Sequence, residues 1–148
     1  MHWKNVEPMK IHRLFYPQVP VIVTAEYEGI IGGMPAIWCM PLSFNPPLVG
    51  VAIAPEHETF RIVTGAKAFG VNWVDFSYAS NVGELGETSA KGLKNKLATA
   101  GFTVMKGENL ATLNPRSLSS IGMSTQGNTP DRHSCVSDRG SVGGLNAR

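Results

Sequence analysis

The sequence predicts a mainly β domain with added helices, and two observations support this prediction. Three short apolar stretches rich in β-branched residues are each too short for a helix, and they lie at residues 19–27, 48–54 and 68–74. A helix start follows the second stretch, because acidic residues at 55–59 precede apolar residues at helical spacing. Strand and helix signals that alternate in this way favour a sheet structure with helices packed on it.

Length and composition limit the possible classes of protein. The chain has 148 residues, enough for one domain with a sizeable core, and its apolar content of 43% argues against disorder. A formal charge of +2 without a basic run gives no indication of nucleic-acid binding. No apolar run approaches the roughly 20 residues that a membrane span needs. We therefore expect a globular protein that binds neither nucleic acid nor membrane.

The cysteines and histidines give no pattern for a metal site or a disulfide. Cys39 lies in an apolar run and Cys135 in a polar segment, and neither belongs to a C-x-x-C pair. The four histidines are scattered without the spacing of metal ligands. No signal peptide is visible at the start of the chain. These observations predict no metal, a reducing compartment and a cytoplasmic location.

The first half of the chain gives a series of extended segments. Residues 1–16 carry a weak helical stripe, which predicts a leader with one short helix, and residues 19–27 form the first strand. A turn at residues 28–29 leads into a second extended segment at 30–40. Within it, the glycine pair at 32–33 predicts a bulge or a close approach of another part of the backbone.

The second half contains a less regular region between two periodic ones. We expect residues 75–90 to be irregular, since they combine two aromatic residues with two glycines. Residues 89–100 have Leu93 and Leu97 four positions apart with lysines between them, which predicts a helix with one apolar face and solvated lysines on the others.

The segment SFNPPLV at residues 43–49 resembles the S-x-x-P-P-L motif of the flavin reductase-like, FMN-binding split-barrel family. Three further pieces follow the order of that family: VPVIVTA at 19–25, Thr59, and FGVN at 69–72. The resemblance covers roughly residues 13–106. It implies a split β-barrel with helices that binds FMN.

The last quarter of the sequence departs from that family. Residues 114–148 are rich in Ser, Gly, Asn and Asp, and they lack the E-C-x-V and G-D-H pieces found there in the family. We therefore expect a barrel domain at 1–113 that is incomplete at its C-terminus. The segment 114–148 is predicted to be a loosely ordered polar tail that adds no strand.

The resemblance also implies a flavin site. No catalytic side chain is expected, because a flavin carries the redox chemistry and the protein binds and orients it. The residues predicted to contact the cofactor are Trp38, Cys39, Met40, Pro41, Ser43, Phe44, Asn45, Thr59, Asn72, Ser89 and Lys91.

Several of these residues also have a purely structural interpretation. Thr59 would hold the flavin phosphate at a helix N-terminus or only cap its own helix. Asn72 is at least as well explained as a core amide, and Lys91 as a solvated lysine. The aromatic residues and Cys39 would equally well be packing residues.

Two functions from different classes remain open at this point. The first is an NADH- or NADPH-dependent reductase of flavin, ferric ion or a related acceptor through FMN. The second is an FMN electron carrier that is not itself an enzyme and receives electrons from a redox partner protein. A defective relative that binds nothing is a third possibility. The resemblance further implies a homodimer, with an interface near residues 34–54.

Overall fold

The structure is a computed structural model that describes residues 7–45, 47–106, 111–113, 117–124 and 134–139. The elements of this described chain are, in order, a 3₁₀ helix Pro8–Phe15, β1 Val21–Tyr27, β2 Ile30–Ala36, β3 Cys39–Phe44, β4 Pro47–Ile53, α1 Glu58–Ala66, β5 Ala68–Val74, a 3₁₀ turn Phe76–Tyr78, α2 Ala79–Glu87, α3 Lys96–Thr99, β6 Val104–Lys106, β7 Ala111–Leu113, β8 Ser117–Ser124 and β9 Ser134–Arg139. Mainly β structure with helices is therefore confirmed.

The strands form three antiparallel groups. The largest sheet has the order β2-β1-β5-β8, a second has the order β3-β4-β9, and β6 pairs with β7. The hairpin of β1 and β2 is in continuous register from Val21 opposite Ala36 to Tyr27 opposite Ile30. The turn between them has Glu28 at φ 52° and Gly29 at φ 74°, as a tight hairpin of this twist requires.

The core has two parts because β1 lies in the middle of the large sheet and is covered on both faces. Val21, Val23 and Ala25 point to one face and pack with residues of α1, β4 and β5. Ile22 points to the other face and packs with Leu85, Leu97 and Phe102. Successive residues of a strand face opposite sides, so a central strand covered on both faces has a continuous apolar sequence.

The glycine pair in β2 allows two side chains to approach the backbone closely. A Cβ at Gly32 would collide with Ile62 of α1, and a Cβ at Gly33 would lie 2.7 Å from Leu97 Cδ2 and 2.8 Å from the carbonyl oxygen of Val23. The register of β1 and β2 is unbroken at both positions. Of the two alternatives for this pair, the unbroken register contradicts a bulge, and the close approach is made by the side chains of Ile62 and Leu97 together with the Val23 carbonyl of the paired strand.

Two predictions for the second half were wrong. Residues 75–90 contain a 3₁₀ turn and helix α2, because the Asp75 carboxylate accepts a hydrogen bond from Ser77 N at 2.9 Å and starts the helical turns. The expected helix at 89–100 is reduced to the four residues of α3. Gly92, at φ 78°, has a left-handed conformation that interrupts a right-handed helix. Upstream of α3 the chain instead follows the edge of β2, where Ile31 N donates to Lys94 O at 2.8 Å.

The expectation that residues 114–148 add no strand was also wrong. β8 pairs with β5 from Ala68 opposite Ser124 to Val74 opposite Ser117, and β9 pairs with β4 from Leu48 opposite Arg139 to Ile53 opposite Ser134. Ladder hydrogen bonds need only backbone N–H and C=O groups, which a polar sequence supplies as well as an apolar one. The boundary at residue 113 and the loose order of the tail stay predictions.

Candidate functional site

A cleft at the start of α1 brings together part of the predicted site. It has a volume of about 320 Å³, within the range of ligand pockets. We call it the α1 cleft, and its lining residues are Met34, Pro35, Glu56, His57, Glu58, Thr59, Gly86, Glu87, Thr88, Ser89, Ala90, Lys91 and Lys96. Three predicted site residues, Thr59, Ser89 and Lys91, therefore meet here although they are far apart in sequence.

Thr59 is the most buried of these three residues. It is only 2% exposed, and no hydrogen bond from its hydroxyl to another described residue is present. Thr59 lines the α1 cleft, and its hydroxyl oxygen is not among the described side-chain atoms that are buried without a partner, so this oxygen faces the cleft and is available to water or a ligand. The predicted alternative, that Thr59 caps its own helix, places the N-cap two residues too late: the N-cap is His57, and Thr59 lies inside the first turn.

The N-terminus of α1 offers backbone donors to the same cleft. His57 makes no side-chain cap hydrogen bond, and Phe60 N donates to His57 O at 2.9 Å. The N–H groups of Glu58 and Thr59 precede the first intrahelical bond, so they are directed beyond the helix end. Such groups, together with the helix dipole, favour an anion.

Three carboxylates line the α1 cleft and repel an anion bound there. Glu58 is engaged on the outer side of α1, where its Oε1 lies 2.7 Å from the Arg61 guanidinium. Glu56 and Glu87 are exposed. Because solvent screens exposed charges, their repulsion of a bound anion is small compared with the attraction of a buried cation.

That buried cation is Lys96, which lies in the first turn of α3. It is 5% exposed, and its Nζ donates to the carbonyl oxygen of Gly33 at 3.0 Å. No carboxylate of the described residues lies within ion-pair distance of this amine. Removal from water lowers the pKa of Lys96 below its ordinary value.

Lys91 and Ser89 form the outer part of the cleft. Both are exposed, and the Ser89 hydroxyl accepts a hydrogen bond from Lys91 N at 3.3 Å. This contact orders the loop that joins α2 to α3. The Lys91 ammonium is therefore available at the mouth of the cleft, in addition to the buried Lys96.

A second cavity lies beside β3 and has mostly apolar walls. Its volume is about 420 Å³. We call it the β3 cavity, and its lining residues are Gln18, Val19, Val21, Ile37, Cys39, Met40, Pro41, Val49 and Trp73. Gln18 Oε1 is buried there without a hydrogen-bond partner among the described residues. The cavity therefore combines an apolar wall with one unpaired acceptor.

The thiol of Cys39 is half-buried in this cavity. Burial raises its pKa above the ordinary value, so the thiol keeps its proton at neutral pH. A protonated thiol is a poor nucleophile, which agrees with a packing role.

The remaining predicted site residues line neither cavity. Trp38 and Phe44 are 44% and 95% exposed, Ser43 is half-buried in β3, and Asn45 is exposed in the turn after it. Asn72 is fully buried in the core, where its amide donates to Ile22 O at 2.9 Å and to Thr24 Oγ1 at 3.1 Å.

The two cavities are neighbours along the chain. Pro35 lines the α1 cleft, and Ile37 lines the β3 cavity only two residues later. Two residues of extended chain span about 7 Å at most. Both cavities are thus lined by residues at the end of β2.

Lys96 was not among the predicted site residues. The sequence placed it with the solvated lysines of a longer helix. Its neighbours did carry a signal, since Asn95 accepts a hydrogen bond from Ala98 N at 3.0 Å as an N-cap and Leu97 is fully buried. A lysine between an N-cap and a core leucine lies close to the body of the protein, not on the far face of a long helix.

The described residues contain no cluster of three or more potential metal ligands. In the same residues, no helix is both long and apolar enough to cross a membrane.

Comparison with known proteins gives one family. The family model "Flavin reductase like domain" matches residues 12–135. An uncharacterised protein of Aeropyrum pernix is 42% identical over 98 residues, which is 66% of this chain and 37% of that protein. The chain thus spans little more than a third of this relative.

Two solved structures are similar over nearly all of the chain. The flavoredoxin from Methanosarcina acetivorans has a TM-score of 0.81 at 16% identity, covering 97% of this chain and 74% of that one. The FMN-binding protein from Thermus thermophilus has a TM-score of 0.80 at 22% identity, covering 95% and 79%. These likenesses confirm the predicted fold class.

Proposed function

The chain belongs to the flavin reductase-like domain family, and from that premise we propose that it binds FMN and uses NADH or NADPH to reduce a flavin, ferric ion or a related acceptor. The observation that supports FMN most directly is the α1 cleft. It combines the unpaired Thr59 hydroxyl, the start of a helix without a side-chain cap, and the buried Lys96. These are the groups that a phosphate requires.

Each residue has a role in holding the cofactor. Thr59 and the first N–H groups of α1 donate hydrogen bonds to the phosphate, while Lys91 at the mouth and Lys96 inside supply positive charge. The apolar lining of the β3 cavity would contact the flavin ring, and Gln18 Oε1 would offer it a hydrogen-bond acceptor. A bound flavin supplies the electron transfer between nicotinamide and acceptor.

The strand β3 holds the polar edge of the ring in this proposal. Backbone groups between Trp38 and Asn45, together with the Ser43 hydroxyl, provide donors and acceptors there. A bulge in the pairing of β3 with β4 between Pro41 and Ser43 supports this role, since a bulge leaves backbone groups outside the ladder.

A non-enzymatic FMN electron carrier is the second candidate function. The similarity to the Methanosarcina acetivorans flavoredoxin favours it. Stopped-flow mixing of the FMN-loaded protein with NADH and with NADPH separates the two candidates. Rapid bleaching of the flavin absorbance by either donor supports the reductase, and bleaching only after addition of a reduced partner protein supports the carrier.

The test of the proposed site compares FMN with riboflavin, which lacks the phosphate. FMN should bind more tightly in a fluorescence titration, because the phosphate makes charge-assisted hydrogen bonds. Thr59→Val should weaken FMN by about 1–2 kcal/mol and leave riboflavin unchanged. Ser43→Ala should weaken both ligands alike.

The matched control is Thr64→Val, on the same helix. The Thr64 hydroxyl donates to Phe60 O at 2.9 Å and lies outside the α1 cleft. This variant should bind FMN like the wild type. Equal affinities of the wild type for FMN and riboflavin would remove the phosphate site from the proposal.

We also propose a homodimer and a cytoplasmic location. The dimer is supported by apolar side chains on β3, which lies at one edge of its sheet. The location is supported by the protonated, unpaired thiol of Cys39, which a reducing compartment would preserve.

A further inference from the structure

The 3₁₀ helix Pro8–Phe15 carries apolar side chains that the described part of the barrel does not cover. Ile11, Leu14 and Phe15 are 57%, 65% and 64% exposed. The hydrogen bonds, the ion pair and the ring contact of residues 7–16 all join two residues of this segment to each other. A single exposed apolar side chain is ordinary, but three on one short helix form a patch that requires an explanation.

Basic side chains lie directly beside these apolar ones. A 3₁₀ helix has three residues per turn, so residues three positions apart lie in one line along it. Ile11 and Leu14 form one such line, Phe15 lies in a second, and Lys10 and Arg13 form the third. We call these five residues the N-terminal surface.

The N-terminal surface keeps a positive charge. Lys10 forms an exposed ion pair with Glu7, whereas no carboxylate of the described residues lies within ion-pair distance of Arg13. Trp3 and Lys4 continue the mixture of basic and large apolar residues toward the start of the sequence. A partner with an anionic exterior and an apolar interior complements both properties.

We propose that the N-terminal surface docks on a membrane that contains anionic phospholipids, with the helix lying on the membrane and not across it. The apolar side chains enter the boundary between headgroups and acyl chains, and Lys10 and Arg13 extend to the phosphates. The sequence-based expectation of no membrane binding depends on the absence of a long apolar run, which a helix lying on the surface does not need. This inference is independent of the proposed function.

A second copy of the chain fits the N-terminal surface less well than lipid does. The centre of a protein–protein interface is depleted in lysine. Because the basic line runs beside the apolar one, burying Ile11 and Leu14 against an apolar protein face would also remove Lys10 and Arg13 from water. At a membrane surface the same charges stay hydrated and meet anionic headgroups.

Vesicle flotation of the full chain tests this proposal. The wild type should float with vesicles of phosphatidylglycerol and phosphatidylcholine, and much less with phosphatidylcholine alone. Added salt should release it, because salt screens the attraction. Phe15→Ser should weaken binding to the mixed vesicles about tenfold, through loss of one aromatic side chain from the lipid contact. Arg13→Gln should weaken the same binding about fivefold and leave binding to phosphatidylcholine unchanged.

The matched controls carry the same changes on other elements. Phe76→Ser removes an aromatic side chain that is 89% exposed, and Lys94→Gln removes an exposed positive charge. Both variants should bind the mixed vesicles like the wild type, and circular dichroism should show every variant folded because each altered side chain is exposed.

Three results would overturn the proposal. The first is a wild type that does not float with the mixed vesicles, and the second is an equal loss of binding in Phe15→Ser and Phe76→Ser. The third comes from sedimentation without lipid: conversion of a dimer to a monomer by Phe15→Ser would show that a second copy covers this surface instead.

Discussion

Two buried polar side chains in this protein, Asn72 and Thr59, have opposite surroundings. The Asn72 amide donates two hydrogen bonds inside the core, to Ile22 O and to Thr24 Oγ1, and thereby ties β5 to β1. Thr59 is buried to a similar extent and its hydroxyl has no such partner in the described chain. A satisfied polar group contributes to stability and specificity of the core, whereas an unsatisfied one beside a cleft is available to a ligand.

The first prediction concerns Asn72. Asn72→Leu should lower the free energy of unfolding by about 1–3 kcal/mol, because it leaves the buried Ile22 carbonyl without this donor. Urea denaturation followed by fluorescence measures the change. FMN affinity of the folded variant should stay within about twofold of the wild type, well below the loss of one hydrogen bond. A variant of unchanged stability that binds FMN poorly would instead make Asn72 a ligand contact.

At the scale of elements, β2 determines the position of the site. It lies at one edge of the large sheet, with α1 on one face and the segment before α3 along its edge. Gly32 lets α1 approach and Gly33 lets Leu97 and Lys96 approach. The α1 cleft forms because α1 and α3 are both held close to β2.

The second prediction tests that close approach with one type of substitution at two glycines. Gly33→Ala should lower the free energy of unfolding by about 1–3 kcal/mol, because the new methyl group overlaps Leu97 and the Val23 carbonyl. Gly83→Ala, in α2 with open space around it, should raise stability by about 0.5–1 kcal/mol. Urea denaturation of both variants measures this. Equal effects at both positions would show that the close packing at β2 is not a constraint.

At the scale of the whole molecule, the polar segment after residue 113 pairs with both sheets. β8 covers the edge of β5 in the large sheet, and β9 covers the edge of β4 in the smaller one. Unpaired strand edges promote aggregation, so these two strands protect the body of the protein.

The third prediction follows from this pairing. A chain truncated after residue 113 loses β8 and β9, which exposes the edges of β5 and β4. It should unfold at a lower urea concentration than the full chain and should aggregate at concentrations where the full chain does not. Sedimentation and urea denaturation of both chains measure this. A truncated chain of unchanged stability would mean that the tail is loosely held and contributes little.

The fourth prediction concerns the proposed homodimer. Met40, Leu42 and Phe44 alternate along β3 and are 54%, 51% and 95% exposed, which is an unusual apolar surface for an edge strand. Phe44→Asp should shift the protein toward the monomer in sedimentation, because a symmetric interface would bury this charge twice. Phe76→Asp is the control, since Phe76 is 89% exposed on a different element. A wild type that is monomeric at all concentrations would contradict the dimer.

The sequence by itself determined the strands and the helix that have an apolar pattern in their own residues. The apolar runs at β1, β4 and β5, the turn after β1 and the start of α1 are local patterns, and each was correctly predicted. The family resemblance likewise depends on short contiguous pieces.

Only the tertiary structure decided the features that depend on distant residues or on the backbone alone. The sequence around Lys96 is typical of a surface segment, but its amine donates a hydrogen bond to the carbonyl of Gly33, 63 residues earlier. The burial of Lys96 therefore cannot be predicted from its neighbours in sequence. The strands β8 and β9 carry no apolar pattern, since backbone pairing with β5 and β4 needs none. The apolar pattern of a sequence indicates which side chains are buried, but it does not indicate which backbone groups pair in a sheet.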